Sequence, residues 1–274
     1  MQVSDTEQLL QRAAANIARR DAEILLAAAW RRSRAQLAAL AHDPVPPEIA
    51  ARFAADCARR AAGEPVAYLL GRREFWSLEL EVSPAVLVPR PETELVVERV
   101  LAHISAEVAR VADLGTGSGA IAIALAHERP RWRVTASDLS ADALAVARRN
   151  GERLVPGRIE WLSGDWFAPC AQRRFDAIAS NPPYIAGDDP VLQGDGLRHE
   201  PRLALTPGGD GLGALATLIN GAPDHLEPGG WLVLEHGTDQ GKSLCDALVA
   251  RGFAHVTSHR DLAGHERVTE GRWR

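Results

Sequence analysis

Apolar residues recur three and four positions apart at the start of the chain, and the pattern then changes twice. Leu9, Leu10, Ala13 and Ile17 fall on one face of a helix that Ser4 or Asp5 can cap. Asp21 to Trp30 is a second such segment, and Ser33 caps a third that runs through Leu40. Pro46-Pro47 opens a fourth helix, which Gly63 and Pro65 end after Ala62. Short helices in this number predict a small bundle, and the segment carries no chemical motif of its own.

Glu74 to Val82 is rich in strand formers and alternates in part. With Ser83-Pro84 as the turn and Ala85 to Val88 as the returning strand, a β-hairpin is expected there. Pro89-Arg90-Pro91 closes it, and a helix is expected from Glu92 to Val108. From Arg110 onward, short apolar strands alternate with helices. Strands are predicted at 111–114, 132–137, 159–162, 175–179 and 231–235, and helices at 119–127, 141–150, 213–219 and 241–250. A last pair of strands is expected at 255–258 and 267–273. Such alternation predicts an α/β domain with a parallel sheet covered on both faces. Residues 185–210, heavy in Gly, Asp and Pro, predict a long loop of the kind that forms lids and substrate grooves.

Ligands of open α/β sheets bind beyond the carboxyl ends of the strands, so those positions are read first for chemistry. The first strand of the alternating region leads into Asp113-Leu114-Gly115-Thr116-Gly117-Ser118-Gly119. These glycines allow a tight turn and a close approach of ligand to backbone. Their spacing is neither the dinucleotide fingerprint nor a phosphate loop. The acid before them disfavours a pyrophosphate and favours a cationic ligand end, such as the amino group of an amino acid. The second strand ends at Asp138, where a carboxylate can accept from ribose hydroxyls or cap the next helix. The third ends in Gly164-Asp165-Trp166-Phe167, with an acceptor for an adenine amine and an aromatic face for the ring. Adenine, ribose and an amino-acid end together describe S-adenosylmethionine.

The fourth strand runs into Ser180-Asn181-Pro182-Pro183-Tyr184. The Asn181 side-chain oxygen and the Pro182 carbonyl are two acceptors beside the Tyr184 ring. The prolines also restrict how these groups can point. The set suits a planar group that carries an NH2, whether an amide or a nucleobase amine.

Composition narrows the choice. The 274 residues are 46% hydrophobic and 24% charged, as in soluble globular proteins, and no apolar run reaches the length of a membrane span. The polar start of the chain lacks a signal-peptide core, which predicts a cytoplasmic protein. Cys57, Cys170 and Cys245 are scattered, and the 9 histidines show no ligand spacing, so no metal is expected. The net charge is −5. Residues 1–71 carry 9 Arg against 8 acidic side chains, a balance of +1 that leaves −6 for the rest. Neither part has the basic footprint of a chain that grips nucleic acid by its phosphates.

The order acid-Leu-Gly-x-Gly-x-Gly, acid, Asn-Pro-Pro-Tyr resembles class I S-adenosylmethionine methyltransferases that act on planar amino groups. More narrowly, the chain is similar to the PrmC/HemK family, the peptide chain release factor glutamine methyltransferases. Gly63 to Gly71, Arg73 to Leu78, Val88 to Glu94, Gly164 to Phe167, His199-Glu200-Pro201, Leu234 to Gly237 and Glu266 to Thr269 all carry the likeness. The resemblance implies a Rossmann-like domain with a mostly parallel seven-stranded sheet, preceded by a small helical bundle and a β-hairpin linker. On that basis residues 1–71 are expected to recognise substrate, 72–91 to form the hairpin linker and 92–274 to be the methyltransferase.

It further implies that Gly115, Thr116, Gly117, Ser118, Gly119, Asp138, Trp166 and Asn181 contact S-adenosylmethionine. Asn181, Pro182, Pro183 and Tyr184 would bind the glutamine of a release factor's Gly-Gly-Gln loop, with Asn181, Pro182 and Tyr184 carrying catalysis. The glutamine nitrogen would attack the sulfonium methyl in line while Asn181 Oδ1 and the Pro182 carbonyl accept its N–H groups. The expected partners are release factors, as protein substrates, with no direct nucleic acid and no membrane, and the enzyme is expected to be a monomer. The alternative is an adenine amino-methyltransferase of nucleic acid, because the same motif suits a flipped base.

Overall fold

A computed structural model describes residues 5–170 and 172–274. Ser4, one of the two expected caps, lies outside the described residues. The chain divides after Arg72 into two compact units.

The first unit is helical. Helices α1 (Thr6–Ala13), α2 (Arg19–Trp30), α3 (Arg34–Ala39) and α4 (Pro47–Ala61) follow the apolar periodicity. Asp5 caps α1 by accepting from the Gln8 amide at 2.8 Å, and Ser33 and Gln36 form a reciprocal capping box on α3. Leu10, Leu25, Leu26, Leu37 and Phe53 form its core, and Asp21 of α2 pairs with Arg60 of α4 at 2.8 Å. A fifth helix, α5 (Val66–Leu70), follows Pro65 where no element is expected from the pattern. Proline at the N-cap starts this helix as well as ending the one before it, and five residues are too few for a periodic signal.

The second unit begins with a hairpin, but not the expected one. Strands β1 (Arg72–Phe75) and β2 (Leu78–Glu81) pair across a two-residue turn at Trp76-Ser77, and Ala85 to Val88 form no strand. Trp76 and Ser77 take left-handed φ of 54° and 56°, the geometry that matches strand twist in a tight hairpin. Ser83-Pro84 carries the commoner turn residues yet only redirects the chain. The hairpin packs on the second unit: the Trp76 amide donates to Glu94 Oε1 at 2.8 Å, and the Glu81 amide to Asn150 Oδ1 at 2.7 Å. The helix after it, α6 (Glu94–His103), stops five residues before the expected end at Val108.

Strands β3 (Arg110–Leu114), β4 (Arg133–Asp138), β5 (Ile159–Ser163), β6 (Phe175–Ser180) and β7 (Leu226–Glu235) are parallel. Strands β8 (Ala254–Arg260) and β9 (Glu266–Arg272) add an antiparallel edge. The order is β5-β4-β3-β6-β7-β9-β8 in one seven-stranded sheet. Helices α7 (Ala120–Glu128), α8 (Ala141–Leu154), α10 (Gly213–His225) and α11 (Gly241–Arg251) connect the strands. Two cores result. One holds Val111, Ile123, Leu125 and Val134, and the other Leu114, Ile178, Leu218 and Leu232. The segment expected as a bare loop carries two 3-10 turns, Pro190–Gln193 and Leu197–His199, and the short helix α9 (Arg202–Leu205).

Chain direction across the sheet reverses between β3 and β6: β4 and β5 lie to one side, β7 to the other. A crevice therefore opens beyond the carboxyl ends of β3 and β6. Those ends are Leu114, before the glycine turn, and Ser180, before Asn181. Among the described residues, no helix is long and apolar enough to cross a membrane.

Candidate active site

A cavity of about 400 Å³ occupies this crevice. Its floor includes Gly115, Thr116, Gly117 and Ser118, and its walls include Asp138, Asp165, Trp166, Asn181 and Pro183. Residues 85–93 border it on one side and 201–207 on another. The two borders are tied together by Glu200, whose buried carboxylate accepts from the Val88 amide at 2.9 Å and pairs with Arg90.

The glycine turn is held from below. The Gly115 and Thr116 amides both donate to the Ser137 carbonyl at 2.9 Å. Gly117, at φ 56°, has open space where a Cβ would stand, so its backbone faces the cavity bare. Gly119 is different. It does not line the cavity, and a Cβ there would meet Ile123 Cδ1 at 2.9 Å, so this glycine serves the packing of α7.

Asp113 lies wholly buried beneath the turn. Its Oδ2 accepts from Thr116 Oγ1 at 2.6 Å and from the Ala122 amide at 3.1 Å. Its Oδ1 is buried with no partner. Burial pushes its pKa up to about 7, against the pull of those two bonds. Asp138 Oδ2 accepts from the Gly117 amide at 2.8 Å and Oδ1 from the Ser140 amide at 2.9 Å. The helix cap itself is Ser140, which accepts from the Ala143 amide at 3.1 Å. Burial raises the pKa of Asp138 too. Each of its oxygens keeps a second lone pair for a ligand hydroxyl. Trp166 takes a left-handed φ of 41° and sets its indole over the turn, 3.4 Å from where a Gly115 Cβ would be.

Asn181 leaves β6 facing the cavity, and its Nδ2 donates to Thr93 Oγ1 at 3.0 Å. Neither its Oδ1 nor the Pro182 carbonyl accepts a hydrogen bond from any described residue. Pro182 is buried, and neither it nor Tyr184 is among the cavity-lining residues. Tyr184 packs against the core cluster that contains Leu114 and Leu234. Its hydroxyl donates to Glu235 Oε1 at 3.1 Å, and its carbonyl accepts from Gln240 Nε2 at 2.9 Å. Thr93 Oγ1 donates to Glu235 Oε2 at 2.6 Å. Desolvation holds the wholly buried Glu235 up at about 7 despite these donors.

Thr93 and Glu235 are not among the residues that the sequence pattern singles out for the site. A signal for Glu235 exists: like Asp113 and Asp138, it is an acid at the carboxyl end of an apolar strand.

Comparison with known sequences is decisive about kinship. Residues 3–71 match the PrmC N-terminal domain and residues 92–212 the methyltransferase small domain. A release factor glutamine methyltransferase from Pseudomonas aeruginosa is 51% identical, with 93% of each chain covered. Those from Salmonella typhimurium (46% identical, 93% of this chain and 92% of that one) and Bordetella pertussis (52%, 88% and 89%) bear the same description. The chain belongs to the release factor glutamine methyltransferase family.

Its fold recurs in more distant methyltransferases. One from Pyrococcus furiosus, 22% identical, superposes with a TM-score of 0.54 over 78% of this chain and 96% of its own. The hMettl16 catalytic domain in complex with a MAT2A 3′UTR hairpin, at 18% identity, reaches 0.60 over 80% and 81%. The family's Rossmann-like architecture, with a mostly parallel sheet, is thus the architecture of this chain.

Proposed function

We propose that this enzyme methylates the side-chain amide nitrogen of the glutamine in the Gly-Gly-Gln loop of peptide chain release factors, with S-adenosylmethionine as donor. The observation that carries it is that two successive residues keep unused acceptors where β6 runs into a glycine-floored cavity: Asn181, which lines the cavity, through Oδ1, and Pro182, next in the chain, through its carbonyl. A primary amide has two N–H groups on one nitrogen, and two neighbouring acceptors engage both.

The residues present fit the donor. Asp113 Oδ1 is an orphaned buried acceptor under the glycine turn, the feature that a cationic amino-acid end would satisfy. Asp138 has lone pairs for ribose hydroxyls, Trp166 a flat face for adenine, and Asp165 an acceptor for its amine. When bound, the donor would supply a methyl group on a positively charged sulfur; the glutamine nitrogen would gain that methyl as the sulfur–methyl bond breaks to leave S-adenosylhomocysteine, and would then give up one proton to water.

An amide nitrogen is a poor nucleophile because its lone pair is delocalised into the carbonyl. Accepting both N–H bonds fixes that nitrogen in position and raises its electron density. The same dipoles stabilise positive charge as it develops there, so positioning and preorganised electrostatics supply the acceleration. Pro183 shapes the cavity wall beside Asn181, and Tyr184 anchors the far end of the turn through its hydroxyl. Residues 1–71 are assigned recognition of the protein substrate, 72–91 the hairpin segment between, and 92–274 the transfer itself. The enzyme is assigned to the cytoplasm, the compartment in which bacterial release factors meet the ribosome.

The test is competitive labelling. Radiolabelled donor is incubated with the enzyme, a release factor and DNA together. Label on the release factor is the expected result, and label on DNA alone would replace this function with methylation of a base amine.

A further inference from the structure

Thr93 and Glu235 are 142 residues apart in sequence, and the fold brings them into direct contact behind Asn181. We propose that they are positioning residues that decide which end of the Asn181 amide faces the substrate. The inference rests on the function proposed above.

The decision follows from counting donors. An ionised carboxylate can only accept. Glu235 receives Thr93 Oγ1 at 2.6 Å on one oxygen and the Tyr184 hydroxyl at 3.1 Å on the other. Threonine has a single hydroxyl hydrogen, so once it is committed to Glu235 the Thr93 oxygen can only accept. Asn181 must therefore offer it Nδ2, and does so at 3.0 Å. The oxygen of the Asn181 amide is then the end left over, turned to accept from the substrate nitrogen. The charge at the buried end of the chain thus sets the direction of every bond in it, and with it which end of the amide is oxygen. One carboxylate also pins both ends of the turn, Asn181 through Thr93 and Tyr184 directly.

Glu235→Gln tests the direction itself. Its amide oxygen can take the Tyr184 hydroxyl while its NH2 donates to Thr93. Thr93 then donates onward to Asn181, whose oxygen turns inward and whose NH2 meets the substrate's N–H groups. Every group stays paired, but the acceptor is lost. One hydrogen bond's worth of preference makes this about a ten-fold fall in kcat. In Glu235→Gln donor affinity stays within about two-fold, because Glu235 does not line the cavity. Thr93→Val removes the messenger, so adding Glu235→Gln to it lowers kcat no further, a non-additivity that a merely structural role would not give. Thr93→Ser restores the hydroxyl and recovers the turnover lost in Thr93→Val.

The measurements are kcat and KM on a release factor and Kd for the donor, with wild-type enzyme assayed alongside. If the wild type does not label a release factor, the proposed function fails. If it does, three outcomes overturn the positioning role: wild-type kcat in Glu235→Gln, additive losses in the double variant, or a Thr93→Ser no better than Thr93→Val. Glu235→Gln alone decides the question even if the valine variant does not fold.

Discussion

Replacing Asp113 by asparagine separates a ligand-binding role from a structural one. Asp113 Oδ2 takes two donors, from Thr116 and Ala122, while Oδ1 takes none. An asparagine must therefore place its oxygen where Oδ2 was and its NH2 in the orphaned position. The turn keeps both bonds, and the acceptor proposed for a cationic ligand becomes a donor. Losing one charge-assisted hydrogen bond is worth about 2 kcal/mol, or roughly 30-fold in Kd.

Stability moves the other way. Burial raises the Asp113 pKa from 3.8 to about 7, so the folded state binds this proton more tightly than the unfolded one. The associated stability is complete below pH 3.8 and is lost as pH rises through about 7. At pH 8 the charged carboxylate thus opposes folding by a few kcal/mol, since each pH unit between the folded and unfolded pKa is worth on the order of 1.4 kcal/mol. Asparagine removes that opposition. Calorimetric titration with S-adenosylhomocysteine at pH 8, beside a thermal melt, should show weaker binding and an equal or higher Tm. Unchanged affinity would refute the ligand role, and a Tm lower by several degrees would show that the charge itself holds the turn.

Other outcomes follow from the same geometry. Gly211, at φ 83°, lies so close to the Asn-Pro-Pro-Tyr turn that a Cβ would stand 2.4 Å from the Tyr184 carbonyl oxygen. Gly211→Ala should displace that turn and lower kcat at least ten-fold, roughly the scale expected when a reacting group is misplaced, with a smaller change in donor affinity. Donor binding should tighten as pH rises through about 7, because a cationic ligand favours the ionised form of Asp113; affinity flat between pH 6 and 8 would contradict this. Turnover should rise over the same range as Glu235 ionises, since a protonated Glu235 has a hydrogen of its own to donate and no longer forces Thr93 to be the donor. Arg267 and Glu92 also act on Glu235, with opposite signs, and Glu235→Gln should flatten the profile.

Much of this arrangement was legible in the sequence because strand ends are. Each of β3, β4, β5 and β6 is a short apolar run whose next residues change character abruptly, and the fold delivers those residues to one crevice. Asp138, Trp166 and Asn181 line it together although no local contact joins them in sequence. What was not legible depended on rare backbone or distant pairing. Trp76-Ser77 turns a hairpin with two left-handed non-glycine residues, while Ser83-Pro84 offered the ordinary turn chemistry nearby. Tyr184 carries an aromatic face suited to an amide, and no local pattern marks the buried carboxylate that its hydroxyl also meets. Gly119 belongs to the glycine motif by spacing, but its constraint is the packing of Ile123 and Trp161 against it. No pattern along the chain joins Thr93 to Glu235; only the sheet order does.

The most direct test is to find the methyl group. Unmethylated release factor is incubated with the enzyme and donor, digested, and the Gly-Gly-Gln peptide fragmented by mass spectrometry. The expected product carries one methyl on the glutamine side-chain nitrogen, formed roughly 10²–10³ times more slowly by Asn181→Ala than by wild type. A methyl on any other atom, or the same rate from Asn181→Ala, would contradict the account.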